Sequence, residues 1–337
     1  MESSREKIGK ILGCSPKEIY FTSGGSESDN QAIISAARLG EKTGKKHIVT
    51  SSFEHPAVYK TMEYLKGEGF DITYLDVYEN GVVVPKDVEN AIREDTCLVS
   101  IMYVNNEIGT IQPIEEIGKI CRKKGVLFHT DAVQAAGQID INVERDFVDM
   151  LSISAHKFHG PKGVGALYVR RGVEPAKLIL GGGQERGKRA GTENVAGVVG
   201  MAAALEESVR DLKAKQHDLS SKRDRLINAL ETIEGAYLNG DRLLRNPGTV
   251  NFSFDGILGE TLLMKLDSLG IIASSGSACS AGSLEPSHVV TALGRNEKLA
   301  MGSLRLSMGY DITDEEVDYL IKGVRDSVLK LREKRNS

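Results

Sequence analysis

Short apolar runs alternate with amphipathic segments over the first part of the chain. Continuous apolar runs such as CLVSIMYV (97–104) are typical of strands buried on both faces, whereas PAVYKTMEYLKGEG (56–69) begins at a proline and ends at a glycine, as helices do. Further strands are predicted at HIVTSS, DITYLDV, VLFHT, MLSIS and GALYV, and further helices at PKDVENAIRED and PIEEIGKICRKKG. This alternation predicts an α/β fold, a mostly parallel sheet with helices on both faces.

The later part of the chain follows a different order. One long, charged amphipathic helix is predicted from Gly200 to about Leu230, as a connector between domains. Strands at TVNFSF and GIIASS follow, with helices at 258–269 and 313–332. We therefore expect a large domain over 1–212 and a smaller α+β domain over 213–337.

Composition narrows the class of protein. The 337 residues are 40% hydrophobic and 27% charged, and a net charge of −4 leaves no basic footprint for nucleic acid or an anionic membrane. No apolar run approaches the length of a membrane span, and the start MESSREKIGK lacks a signal-peptide core. The four cysteines are far apart without a CxxC pair, which argues against a zinc site or disulfides. We expect a cytoplasmic protein that binds neither nucleic acid nor membrane.

Polar clusters follow several of the predicted strands, at the edge where open parallel sheets bind ligands. In FTSGGSESDN, a strand end, a Gly-Gly turn and a helix start offer backbone N–H groups and the hydroxyl of Ser26, which suit a phosphate. An ordinary capped helix start would explain this stretch equally well. HTDAVQ places Asp131 and Gln134 just past a buried strand, where a carboxylate needs a cation.

SISAHKFHGPKG places Lys157 at another strand end, between His156 and His159. A lone lysine is usually a solvated surface residue, but these neighbours favour a lysine held in a site. A lysine near a phosphate pocket and an aspartate is the arrangement that pyridoxal 5′-phosphate requires: the amine forms the Schiff base and the aspartate keeps the pyridine nitrogen protonated.

With these motifs the sequence resembles the cysteine desulfurases of the NifS/IscS group, fold-type-I pyridoxal phosphate enzymes that are class-V aminotransferase-like. The resemblance implies a seven-stranded-type sheet in the large domain and a smaller α+β C-terminal domain. The family's usual N-terminal segment, which lines the active-site entrance, has no counterpart in this sequence. The motifs run in the family's order from about residue 5 to residue 331: FTSGGSESDN, FEHPAV, VNNEIGTIQP, HTDAVQ, SAHKFHGPKGVGALYVR, GGGQERGKRAGTEN, SSGSACSAGSLEPSHV and LRLSMG.

The resemblance also implies roles for individual residues around the cofactor. Lys157, rather than Lys162, is the Schiff-base lysine, and Asp131 pairs with the pyridine N–H. Gln134 hydrogen-bonds the ring hydroxyl, while His55 stacks on the ring and handles protons. The phosphate positions are Gly25, Ser26, Ser154, His156 and, from the partner subunit, Thr192, which implies a homodimer with shared sites.

Substrate and sulfur chemistry complete the implied site. Asn106, also a cofactor position, and Arg305 match substrate-carboxylate positions, where arginine binds through paired hydrogen bonds. Cys279 matches the nucleophile that takes sulfur from L-cysteine as a persulfide, leaving L-alanine, and passes it to an iron–sulfur scaffold or another acceptor protein. Cys279 is also a candidate iron–sulfur ligand, and no other metal site is expected. Cys14, Cys97 and Cys121 fall in helix or strand patterns that indicate core packing.

Two alternatives remain open from the sequence. Selenocysteine lysis or another fold-type-I reaction such as aminotransfer would use the same lysine, aspartate and phosphate site, although an aminotransferase has no use for a cysteine in a small-residue loop. A truncated, non-catalytic homologue that binds assembly partners or a cluster through Cys279 belongs to a different class. Retention of the cofactor distinguishes the pyridoxal phosphate enzymes from the non-catalytic homologue.

Overall fold

The computed structural model describes residues 1–276 and 285–336, with side chains up to residue 333. The chain divides into two compact units. The first comprises Met1–Asp76, Val83–Val104 and Gln112–Leu212, and the second comprises Val77–Val82, Asn105–Ile111 and Lys213–Ser337. Within the residues described, no helix is both long and apolar enough to cross a membrane.

These bounds differ from the predicted division in two short segments, 77–82 and 105–111, which belong to the second unit. The physical reason is hydrogen bonding that local sequence patterns do not show. Asn246 donates its backbone N–H to the carbonyl of Gly109 at 2.8 Å, and the N–H of Ile111 reaches the carbonyl of Leu244 at 2.9 Å. The segment 105–111 is therefore tied to the chain around residue 245.

The first unit is built on a seven-stranded sheet with the order β1-β7-β6-β5-β4-β2-β3. The strands from β2 to β6 pair in parallel, and β7 is antiparallel to both of its neighbours. Every residue of β2, β4, β6 and β7 is buried, which agrees with their continuous apolar or small-residue sequences. The strands are β1 Ile19–Thr22, β2 His47–Ser51, β3 Asp71–Leu75, β4 Thr96–Ser100, β5 Leu127–Asp131, β6 Met150–Ser154 and β7 Gly165–Val169.

Helices surround this sheet. Three of the predicted boundaries have clear local causes: α3 and α4 begin at prolines, and α5 ends at Gly125 in the left-handed conformation. The helices of the first unit are α1 Glu2–Leu12, α2 Gly25–Glu41, α3 Pro56–Gly67, α4 Pro85–Ala91, α5 Ile114–Lys124, α6 Gln184–Gly187 and α7 Val195–Val209, with 3-10 turns at Pro16–Glu18 and Ala155–Phe158. The mostly parallel α/β fold predicted from the sequence is confirmed.

The second unit packs helices on a three-stranded antiparallel sheet of order β10-β9-β8. Its core joins Leu226, Phe252, Leu262, Leu304 and Val324. The elements are α8 Leu212–Glu231, β8 Ala236–Leu238, β9 Thr249–Phe254, α9 Gly259–Asp267, α10 His288–Ala292, α11 Glu297–Ala300, β10 Ser303–Ser307 and α12 Asp314–Asn336.

Two predicted elements differ from the structure. The single helix expected over 200–230 is two helices, because Asp211 adopts a left-handed backbone with φ of 54° between α7 and α8. GIIASS is not a strand: only Ser274 pairs, through an isolated bridge to Arg305, and Ile272 is 91% exposed. The pair of β-branched residues Ile271 and Ile272 suggested a strand, but most of this segment has no neighbouring strand with which to pair.

Candidate active site

The start of α2 lies against the end of β6. A Cβ atom on Gly25 would come within 2.7 Å of the Val133 side chain and 3.7 Å of the Ser154 Cβ, so the first residue of α2 tolerates no side chain there. The first turn of a helix leaves its N–H groups without intrahelical acceptors, and Ser26 is exposed on that turn. Two elements distant in sequence therefore bring Gly25 and Ser154 together, and the exposed Ser26 lies next to Gly25 on the same helical turn.

Asp131 ends β5, the strand beside β6, and lies opposite Ser152 in the parallel register. Its carboxyl is buried, and Oδ1 accepts the N–H of Val133 at 2.9 Å. Burial raises the pKa of Asp131 to about 7, and the nearby carboxyl of Asp29 adds to the shift. An ionised carboxylate at this depth requires a cationic partner.

His55 caps the N-terminus of α3, where its Nδ1 accepts the N–H of Ala57 at 3.1 Å. A ring nitrogen of His55 and carboxylate oxygens of Asp29 and Asp131 all lie within 4.8 Å of one another. The half-buried imidazole is therefore beside the carboxyl predicted to face the cofactor ring. Gln134, also half-buried, follows β5 in the turn after Asp131.

Lys157 lies in the 3-10 turn Ala155–Phe158 that directly follows β6. It is half-buried, whereas Lys162 is exposed, as expected if Lys157 is the reactive lysine. Partial burial lowers the pKa of His156, and the positive charges of Lys157 and Lys162 lower it further. The imidazole of His156 is therefore more readily neutral and available as a hydrogen-bonding group at this strand end.

The two predicted substrate-carboxylate residues meet in the second unit. Arg305, on β10, donates from Nη1 to the carbonyl oxygen of Asn106 at 3.0 Å. The segment around Asn106 is held by the buried Arg245, which donates to the carbonyls of Ile108 at 2.5 Å and Asn239 at 2.6 Å. Sequence reasoning did not identify Arg245, because nothing near RLLRN marks one arginine as buried.

Thr192 is exposed in the glycine-rich segment that follows α6, and it lines a hollow with Ser23 and Arg189. The short helix α6 before this segment is held by Glu185, whose carboxylate forms a two-point ion pair with Arg5 at 2.8 and 2.9 Å. Glu185 has φ of 46°, an uncommon conformation for a residue other than glycine. Neither Arg5 nor Glu185 was predicted. A glutamate inside a glycine-rich motif was the available signal.

Cys279 lies outside the residues that the structure describes, so its predicted role as the nucleophile stays a prediction. The other three cysteines are buried or half-buried, free thiols. Burial raises the pKa of Cys14 and of Cys97 to about 12, and it raises the pKa of Cys121 further. These thiols are therefore poor nucleophiles, in keeping with the packing role predicted for them.

Comparison with known proteins identifies the family. Residues 1–320 match the aminotransferase class-V family. The chain belongs to this family. It is 51% identical to the cysteine desulfurase IscS of Clostridium botulinum, over 98% of this chain and 83% of that protein.

Solved structures agree with this assignment. A NifS-like protein superposes with a TM-score of 0.89 at 43% identity, covering 96% of this chain and 86% of that one. A structure of SspA in complex with cysteine gives a TM-score of 0.79 at 40% identity, covering 91% and 86%. The resemblance to the NifS/IscS cysteine desulfurases and the fold class predicted from the motifs are confirmed. Enzymes of this family use pyridoxal phosphate in general.

Proposed function

We propose that the protein is a pyridoxal 5′-phosphate enzyme that takes the sulfur of L-cysteine onto Cys279 as a persulfide and releases L-alanine. The observation that carries this proposal is the meeting of three groups at the ends of two adjacent strands: the buried Asp131, the turn holding Lys157, and the α2 start against Ser154. Relatives named cysteine desulfurase, and a neighbour solved with cysteine bound, support the substrate.

The residues of the first unit fit the cofactor's distinct parts. Gly25, Ser26, Ser154 and His156 would bind its phosphate, and Lys157 would anchor it covalently. Asp131 would hold the pyridine nitrogen in its protonated form, with Gln134 on the ring hydroxyl. When bound, pyridoxal phosphate supplies an electron sink for the substrate's α-carbon.

The remaining residues act on the amino acid. Arg305 would bind the substrate carboxylate, with Asn106 as its neighbour in the same unit. His55 and the amine of Lys157 would move protons at the reacting carbon and nitrogen. The thiolate of Cys279 would bond to the substrate sulfur, the electron pair of the broken carbon–sulfur bond would pass to carbon, and protonation there would give alanine.

Assembly and destination follow from the same proposal. Thr192, exposed on its segment, would contact the phosphate of a second subunit, so the active form would be a homodimer. The persulfide sulfur would pass to an acceptor protein in the cytoplasm, such as a scaffold for iron–sulfur clusters. No nucleic acid or membrane takes part.

The test is purification with added pyridoxal phosphate, followed by the visible absorption of the bound cofactor and by sulfide and alanine release from L-cysteine with a thiol reductant. We expect both products in equal amounts. Bound cofactor without sulfide release would contradict the reaction, and failure to retain cofactor would favour a non-catalytic homologue.

A further inference from the structure

The buried carboxyl of Asp29 has no role in the site as described so far. Asp29 lies one turn into α2 and is 1% exposed. Within the described residues its Oδ1 has no hydrogen-bond partner, and Nε2 of His129 lies 3.6 Å from it. A buried carboxyl oxygen without a partner is costly, so its position requires an explanation.

Asp29 belongs to the same buried group as the carboxyl predicted to face the cofactor ring. One oxygen each of Asp29 and Asp131 and a ring nitrogen of His55 lie within 4.8 Å of one another. His129 stands two residues before Asp131 on β5, so both side chains project from the same face of that strand. Ser152 on β6 hydrogen-bonds the His129 ring at 3.1 Å and also contacts Asp29.

Among the described residues, the neighbours of this pair supply little positive charge, although a charge on His55 lowers the pKa of Asp131. Burial lowers the pKa of His129 to about 4, so this imidazole is neutral at neutral pH. Burial raises the pKa of Glu54 to about 8, so this neighbouring carboxyl is mostly protonated. His55 uses Nδ1 as an acceptor for the N–H of Ala57, which leaves at most its other nitrogen to face the pair.

Two carboxyls this close in a buried site do not both ionise, and they titrate as a pair that shares a proton. Resting on the function proposed above, we propose that Asp29 is a positioning residue that holds this proton, so that the negative charge is on Asp131, where the ring nitrogen binds. Burial raises the pKa of Asp29 to about 7, which supports the assignment. Asp29 thereby sets the protonation state of Asp131 without touching the substrate.

Asp29→Asn tests this role, because asparagine has the shape of a protonated aspartate and cannot ionise. In the cofactor-loaded enzyme, the visible absorption should show a titration step from ionisation of Asp29 in addition to that of the lysine imine, and only the Asp29 step should be lost in Asp29→Asn. Asp146→Asn is the matched control, since Asp146 is also buried but bonds Tyr103 and Arg145. It should lower stability and keep the step. The same titration curve in Asp29→Asn and the unmutated protein would overturn the proposal.

Infrared spectroscopy of the unmutated protein keeps the test decisive if the variant does not fold. Carbon-13 labelling of the aspartate carboxyls shifts their infrared bands away from the band of the protonated Glu54. At neutral pH we expect one protonated buried aspartate both without and with cofactor. Loss of that signal when cofactor binds would mean that Asp29 ionises, and the proposal would be wrong. If the proposed function itself fails, the visible absorption never appears, whereas a wrong role for Asp29 leaves the absorption intact with an ionised Asp29.

Discussion

Breaking the ion pair between Arg5 and Glu185 should destabilise the first unit by an amount that the structure allows to be worked out. The side chains of Arg5 and Glu185 are 5% and 4% exposed. Two hydrogen bonds, with N–O distances of 2.8 and 2.9 Å, join the guanidinium to the carboxylate. Glu185 also accepts the N–H of Phe21 at 2.9 Å, and Arg5 also donates to the carbonyl of Ile19 at 2.8 Å. Removing Arg5 leaves the Glu185 carboxylate buried without a cation, and removing the charge of Glu185 leaves Arg5 only the exposed carboxylate of Glu2, at 3.3 Å. Loss of one partner of a buried ion pair costs about 3–5 kcal/mol.

A double-mutant cycle measures this pair directly. Arg5→Met and Glu185→Gln should each lower stability by about 3–5 kcal/mol, while the double variant should lose less than their sum, because no charge is then left buried. Native-state hydrogen exchange at the amide of Phe21 is the assay, since that N–H bonds to Glu185 and its protection reports local opening. Additive losses, or single losses below about 1 kcal/mol, would refute the reasoning.

Three further predictions concern the site. Lys157→Ala should abolish the visible absorption of bound cofactor, because the covalent link is lost, and Lys162→Ala should keep it; an unchanged spectrum in Lys157→Ala would disprove the assignment. Arg305→Lys should raise KM for L-cysteine about tenfold or more with a smaller change in kcat, since a lysine cannot bind a carboxylate through two parallel hydrogen bonds; steady-state kinetics that show the reverse split would count against it. Burial raises the pKa of Glu54 from 4.5 to about 8, so between these pH values the folded state holds a proton that the unfolded state loses. The stability of the cofactor-free protein should therefore fall as pH rises from 4.5 to about 8, by up to about 1.4 kcal/mol per pH unit. Urea unfolding at several pH values checks this, and Glu54→Gln should reduce the slope without removing it, because the proton shared by Asp29 and Asp131 contributes in the same direction.

The site was predictable where its residues follow strands that the sequence displays. The apolar runs VLFHT and MLSIS mark β5 and β6, so Asp131 and Lys157 could be placed at strand ends without any structure. They lie at the same edge of the sheet because β5 and β6 are adjacent parallel strands. The roles of Thr192 and Cys279 came from the family resemblance, because neither composition nor spacing distinguishes them.

The residues that were missed depend on packing between elements. Asp29, Ala32, Ile33 and Ala36 form one buried face of α2, and that helical spacing was the available signal for a buried acid. Asp29 comes close to His129 only because this face of α2 packs on β5 and β6, and a single sequence does not specify which strands a helix covers. The pairing of Arg5 with Glu185 joins residues 180 positions apart, beyond the reach of any local pattern.

The most direct test of the proposed function is mass spectrometry of the unmutated, cofactor-loaded protein after L-cysteine is added without reductant. The account predicts one added sulfur atom on the peptide that contains Cys279 and none on the peptides that contain Cys14, Cys97 or Cys121, whose thiols are held protonated by burial. Added sulfur on any of those three, or alanine release with no sulfur on Cys279, would contradict it.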